Sequence, residues 1–285
     1  MDRPPGQAAG VLIAAWAAQV RANREQAERV REAPDGGDFY APVSALFVAD
    51  PRRADDPTLD ALSEIARPDE TWLDIGAGAG RYALPLSLRV REVIAVDPSA
   101  GMLDALRDGM ERHGIRNVRP IHARWPMDPG AGVVPSADVA LIAHLGYDVE
   151  AIGAFLHAME AAAGRLCVAV LADRAPSSPA GPFWPLVHGE QRLELPALGE
   201  FLAILRAGDR DPSVSFARRQ PRGFTSHAAL LAWLRNQLFV VPGSAADGRL
   251  MAAIAQRVVT AEDGSVRLVA EIVSRVGVAT WSPRT

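Results

Sequence analysis

The chain has 285 residues and a net charge of −4, with 49% hydrophobic and 22% charged residues. That balance excludes a disordered chain and gives no broad basic surface for a nucleic-acid partner. All 30 basic residues are arginine, which excludes a lysine base, and the single cysteine, Cys167, excludes an internal disulfide and points to a reducing cytoplasm.

In chain order, residues 7 to 33 read as one amphipathic helix, because the apolar run "AAGVLIAAWAAQV" continues into "RANREQAERVRE". That run is shorter than the roughly 20 apolar residues of a membrane span, so no membrane partner is expected. "APDGGDFYAPVSALF" and "ADPRRADDP" read as loops around a short helix, and "TLDALSEIA" as a helix started by Asp56 or Thr58. From residue 71 a βα rhythm begins. Strand "TWLDI" leads through glycines into helix "RYALPLSLR", strand "EVIAVD" into helix "AGMLDALRDGMERHG", and strand "VRPIHA" follows. Strand "DVALIAH" leads to helix "VEAIGAFLHAMEAAAG" and then to a fifth strand, "RLCVAVLAD". Apolar strands alternating with helices predict a parallel sheet covered on both faces. Cys167 lies in that fifth strand and reads as a buried thiol, and Trp72 as core.

Past residue 174 the rhythm changes. "RAPSSPAGPFWP" reads as a loop, "PALGEFLAILRAG", "TSHAALLAWLRNQLF" and "DGRLMAAIAQRVV" as helices, and "PSVSFARR" as a strand. "SVRLVAEIVSRVGVATW" reads as one long final strand, antiparallel at an edge of the sheet. The chain therefore divides into an N-terminal helical lid (1–69), a Rossmann-like core (70–173), and an elaboration with the last strands (174–285).

The central motif is "ETWLDIGAGAGRYALPL", residues 70 to 86. Ligands of open α/β sheets bind beyond the carboxyl ends of the strands, and glycines there let backbone approach a ligand that a Cβ would block. Two ligands compete for Gly76, Ala77, Gly78 and Gly80. "GAGRYA" from Gly78 satisfies the dinucleotide pattern G-x-G-x-x-A, which would make the chain an NAD-dependent oxidoreductase. Asp74, two residues before Gly76, instead suits the ammonium of a methionine tail. Asp97, ending the second strand, would accept bonds from ribose hydroxyls of either ligand. Pro98 and Met102 in the following "PSAGM" would flank an adenine.

These blocks, with "NVRPIHARWP" and "ADVALIAHLGYD", resemble the class I S-adenosylmethionine-dependent methyltransferases over about residues 70 to 173. The resemblance implies S-adenosylmethionine as cofactor and a doubly wound, mostly parallel α/β sheet of seven strands with an antiparallel last strand. It also implies an acidic residue followed by alanine after the third strand, to hold the adenine amino group. His122 and Ala123 stand there, so Trp125 and backbone near Ala123 or Arg124 would replace that contact. A lid residue, Tyr40 in "GGDFYAPV", would offer its hydroxyl to the methionine carboxylate, with Arg53 or Arg81 as charge partners.

Catalysis of methyl transfer needs chiefly orientation and exclusion of water, and a general base only where the nucleophile is protonated. His144, ending the fourth strand, is the candidate base or methionine-tail contact, with Tyr147 close behind it. The Asn/Asp-Pro-Pro-Tyr typical of family members that methylate amide or exocyclic nitrogens is replaced by "AHLGYDV", so a small-molecule acceptor is expected. Trp184 and His188 in the elaboration would line its pocket. "HGE" at 188–190 is too little for a metal site, and none is expected. A non-catalytic cofactor-binding module is the remaining alternative.

Overall fold

The computed structural model describes residues 5–33, 47–127, 134–218, 223–262, 264–269 and 275–284. Five strands, β1 (Thr71–Ile75), β2 (Glu92–Asp97), β3 (Val118–His122), β4 (Ala137–Ala143) and β5 (Ala163–Ala172), form the parallel part of a seven-stranded sheet. The outer strand is β6 (Ser213–Arg218). A two-stranded ribbon, β7 (Val258–Thr260) with β8 (Val266–Leu268), lies apart from the sheet, and β9 (Arg275–Trp281) completes it. The sheet order is β3-β2-β1-β4-β5-β9-β6, with β9 antiparallel to both neighbours.

The final segment therefore corrects the sequence reading twice. The stretch 265–281 is not one strand, because β8 turns away to pair with β7. The last strand does not take the edge but inserts between β5 and β6, where Val276, Val278 and Ala279 are buried. An apolar run consistent with burial on both faces does not say which neighbour buries it.

Alternation along β1 assigns the two layers. Leu73 and Ile75 point into a core shared with helices α1 (Pro5–Val30), α5 (Ile152–Ala162) and α7 (Leu198–Ala207). Trp72 points to the other face, against α2 (Pro57–Ile65), α3 (Ala83–Ser87) and α4 (Ala100–His113). Each fully buried side chain of this kind contributes about 1.5–3 kcal/mol before the entropic cost of ordering it. The helix starts follow capping chemistry: Asp56 accepts the Leu59 N–H and Ser99 accepts the Met102 N–H.

A third core lies in a cap built from a 3₁₀ turn (Ser178–Phe183), α6 (Trp184–His188), α8 (His227–Leu238), α9 (Ala245–Ile254) and the ribbon. The 3₁₀ turn and α6 occupy most of a stretch that reads as loop, since Pro179 and Pro185 sit at their first turns, where a missing N–H costs nothing. The predicted helix 247–259 is shorter, and residues 258–260 join the ribbon.

α1 ties the cap to the sheet. Trp16 Nε1 donates to Val149 O just beyond β4, at 2.9 Å. About two and three turns later, Asn23 donates to Leu193 O and Gln26 to Gln191 O, while the Leu193 N–H returns a bond to Gln26. Asn23 and Gln26 sit in a stretch whose charges read as a solvated face, yet both are buried, because residues 191–194 run along the helix and saturate their amides.

Candidate active site

The site lies where β1, β2 and β4 end. Gly76 and Ala77 both turn their N–H groups to Val96 O, which folds the glycine loop back over β2. Gly76, Gly78 and Gly80 all have positive φ, between +55° and +84°, so the loop needs residues that tolerate the left-handed region. What surrounds each differs. A Cβ on Gly80 would come within 2.4 Å of Leu106 and 2.8 Å of Leu84, and one on Gly76 within 2.6 Å of Leu145. A Cβ on Gly78 would meet only the Met102 sulfur, at 3.8 Å. Gly80 is thus demanded by helix packing and Gly76 by Leu145 above it, while Gly78 meets among the described residues only Met102, at an ordinary contact distance.

Two carboxylates flank Gly78. Asp97, 6% exposed, accepts the Gly78 N–H on one oxygen and the Ser99 N–H on the other, both at 2.8 Å. Asp74, 2% exposed, lies on the same face of the sheet near the start of α3. Burial, then the neighbouring Asp97 charge, pushes its carboxyl up to about 7, and a hydrogen bond from the Ala83 N–H opposes the rise. Such a group is poised to ionise when a cation arrives.

Opposite the carboxylates is a cationic cluster. Asp56 accepts from Arg53 at 2.9 Å and from Arg81 at 3.1 Å, leaving two guanidinium groups for one carboxylate. Arginine hydrogen bonds and charges hold Asp56 below the usual carboxylate range although burial works against them. Both guanidinium groups lie against the Tyr82 ring, 5.8 and 5.6 Å from its centre, and Arg53 Nη2 is buried with no hydrogen-bond partner among the described residues. Tyr82 O–H is 3.2 Å from His144 Nε2. His144 itself has φ +56, a strained conformation for a side-chain-bearing residue. Tyr82 was not singled out in the sequence, although a tyrosine two residues past the last glycine of such a loop must emerge beside it.

The remaining predicted residues divide. Ala123 joins the site through its N–H to Asp97 O, and Met102 is buried beneath Gly78. Pro98 O meets His122 Nε2 at 2.9 Å, so the histidine standing in the acid's place closes onto the turn after β2. Trp125 is buried, its Nε1 without a partner among the described residues, whereas Arg124 is exposed. Tyr147 is buried below the rim, its hydroxyl accepting the Ala172 N–H at 2.6 Å. Trp184 lies in the core of the cap and the half-buried His188 packs against it, with ring centres 4.6 Å apart and His188 Nε2 2.9 Å from Leu238 O. Tyr40 lies outside the described residues. Among the described residues no group of three or more His, Cys, Asp or Glu side chains could hold a metal ion, and no helix is long and apolar enough to cross a membrane.

Residues 73–162 match the family model of a methyltransferase domain. A putative methyltransferase from Bacillus halodurans superposes with a TM-score of 0.56 at 13% identity, covering 80% of this chain and 100% of that one. The YcgJ protein from Bacillus subtilis gives 0.53 at 16%, covering 80% and 99%. Among curated proteins, an uncharacterized protein of Haemophilus influenzae is 35% identical over 95 residues, 33% of this chain and 34% of that protein. The 23S rRNA (uracil(1939)-C(5))-methyltransferase RlmD of Stenotrophomonas maltophilia is 43% identical over 60 residues, 21% of this chain and 14% of that enzyme. The chain thus spans about a third or less of the length of these curated relatives. Fold, glycine loop and family model together define a class I methyltransferase core. Residues 73–162 thus carry a methyltransferase domain on the class I fold, and S-adenosylmethionine is the cofactor of that class.

Proposed function

We propose that this chain transfers a methyl group from S-adenosylmethionine to a small-molecule acceptor. The observation that carries the reading is the room beside Gly78 among the described residues, bordered by a backbone-held carboxylate, a buried carboxyl raised to about 7, and a surplus of guanidinium. This set of groups matches a nucleoside with a zwitterionic tail and offers no reason for a pyrophosphate.

When bound, the cofactor supplies an electrophilic methyl on a sulfonium. The chain's own residues hold and shield it. Asp97 takes the ribose hydroxyls while its other lone pairs keep the Gly78 and Ser99 N–H groups in place. Asp74 ionises against the ammonium, and Arg53, with Arg81 and Tyr40, takes the methionine carboxylate. Met102, Pro98, Ala123, Arg124 and Trp125 surround the adenine, and the buried Trp125 Nε1–H is a donor for one of its ring nitrogens. His144, set by Tyr82, stands at the rim as base for an acceptor O–H or N–H. Tyr147, tied to β5, steadies the loop behind it.

The cap, with Trp184 in its core and His188 packed against it, forms the acceptor wall. The likeness to an rRNA methyltransferase covers too little of this chain to bring its acceptor with it, and the net charge of −4 does not favour a polyanion. Calorimetric titration of the purified chain with S-adenosylhomocysteine and with NAD tests the cofactor assignment. Micromolar-range binding of the first and none of the second is expected; the reverse would make it an oxidoreductase. A saturable, salt-dependent shift on adding short RNA would overturn the small-molecule acceptor.

A further inference from the structure

Several half-buried arginines of this protein are matched with carboxylates, and Arg192 is not. Arg53, Arg165, Arg210 and Arg235 meet Asp56, Glu70, Glu160 and Asp247 at distances between 2.5 and 2.9 Å. Arg192 has no carboxylate within ion-pair distance among the described residues. Its guanidinium lies 3.9 Å above the Trp184 ring and bonds to Asn23 Oδ1 at 3.2 Å. Nη1 is buried with no hydrogen-bond partner among the described residues. Glu194, the carboxylate whose charge reaches it, is engaged with Ser178. Burial pulls the Arg192 pKa down to about 10, as expected for a cation short of compensation.

A second orphan lies beside it. Trp184 is 1% exposed, and its Nε1–H is buried with no acceptor among the described residues. Two unmet donors, one of them charged, share a single seam between α1 and the cap, and unlike Arg53, Arg165, Arg210 and Arg235 this arginine meets no carboxylate among the described residues. An unmatched buried donor pair of this kind is the complement of an anion that arrives from outside.

We propose that Arg192 and Trp184 form an anion site that holds a carboxylate of the methyl acceptor. A carboxylate has two in-plane oxygens, one for Nη1–H of Arg192 and one for Nε1–H of Trp184, and the apolar walls of Trp184 and Phe239 favour an organic acid over a free inorganic anion. The assignment rests on the cap being the acceptor wall, and it makes the methyl acceptor a small carboxylic acid. It also gives the cap's aromatic core a role beyond packing: Trp184 supports the guanidinium with its face and the anion with its edge.

The test uses the full chain with S-adenosylhomocysteine present and sodium benzoate as probe, at constant ionic strength, with benzamide as the uncharged isostere. Benzoate is expected to raise Tm saturably and benzamide not at all. Arg192→Met should weaken the benzoate response about tenfold or more, and Trp184→Phe should weaken it less, with S-adenosylhomocysteine affinity unchanged in both. Without benzoate, Arg192→Met should melt at or above the wild-type temperature, because it removes an uncompensated buried charge, whereas Arg210→Met should melt lower. A benzoate response that is absent, or that survives in Arg192→Met, overturns the site. So does a loss of Tm in Arg192→Met equal to that of Arg210→Met, which would make the arginine a structural cation–π partner. An equal response to inorganic phosphate overturns the carboxylate assignment. Failure of S-adenosylhomocysteine to bind the wild type would instead strike the cofactor reading and leave the benzoate result to stand by itself.

Discussion

The two ends of the central sheet treat buried acids in opposite ways. At the end where β1 and β5 begin, Glu70 is gripped by Arg165 and accepts from Trp72 Nε1, and Glu160 is gripped by Arg210 and accepts from Trp281 Nε1. At the other end, Asp97 is held by backbone N–H groups, and Asp74, nearly fully buried, has no cation beside it among the described residues. A cation matched within the chain fixes a fold, and a carboxylate held by backbone N–H groups at a loop is placed to meet a ligand. The end where buried acids are matched by side-chain cations is scaffold, and the end where that matching is incomplete holds the candidate site.

The largest effects should come from breaking the matched end. Glu160→Ala leaves Arg210 buried without a counter-ion and Trp281 Nε1 without an acceptor, and should lower unfolding free energy by about 3–5 kcal/mol in denaturant titration. Affinity for S-adenosylhomocysteine, measured on the folded fraction, should not change. A fall in affinity of similar size would mean that the two ends are energetically one unit. Within the glycine loop the same division is expected on a smaller scale. Gly80→Val drives a side chain into Leu106 and Leu84 and should cost about 1–3 kcal/mol of stability through overpacking, added to the strain of its backbone. Gly78→Val carries the same left-handed backbone strain without the clash, so it should abolish S-adenosylhomocysteine binding with a smaller loss of stability than Gly80→Val. Binding retained by Gly78→Val would show that the loop does not touch the ligand.

Much of the matched architecture was legible in the sequence because it depends on local pattern. Apolar strands alternating with helical patterns, a helix start at Asp56, and the glycine-to-aspartate spacing gave the order of the core elements and the position of the cofactor end. What stayed hidden depends on partners distant in sequence. Asn23 lies in a charged stretch and is buried because residues 191–194 pass beside it, and Trp184 is buried because α8 and α9, which follow it at a distance, fold over it. The insertion of β9 between β5 and β6 is of the same kind, since an apolar strand carries no mark of its neighbours. Gly80 resembles Gly78 in sequence, and only the approach of Leu84 and Leu106 separates packing from binding.

A sharper probe of the incomplete end is Asp97→Ala. It removes the acceptor for ribose hydroxyls and should weaken S-adenosylhomocysteine by about 1–3 kcal/mol in calorimetry. It also frees the Gly78 and Ser99 N–H groups, so some disorder of the loop contributes to the loss. Asp97→Asn separates the two contributions, because an amide oxygen keeps one backbone bond while the charge is lost. Unchanged affinity in both variants would remove Asp97 from the cofactor site.

The smallest and most specific effect concerns Asp74, whose carboxyl is raised from 3.8 to about 7. Between those values the folded chain holds a proton that the unfolded chain has released. Its contribution to stability is therefore full below about pH 4 and is lost as the pH rises through about 7. Cofactor binding runs the other way. The ammonium of the ligand pairs with the ionised carboxylate, so below about pH 7 binding must expel a proton, and affinity for S-adenosylhomocysteine should fall about tenfold for each further pH unit. Calorimetry in buffers of different ionisation heat should record nearly one proton released per ligand at about pH 6 and almost none at about pH 8. Asp74→Asn should bind weakly at every pH and lose both the slope and the proton release. Should the wild-type affinity be level across that range, Asp74 does not meet the ammonium, and its burial would have to be explained by the start of α3 alone.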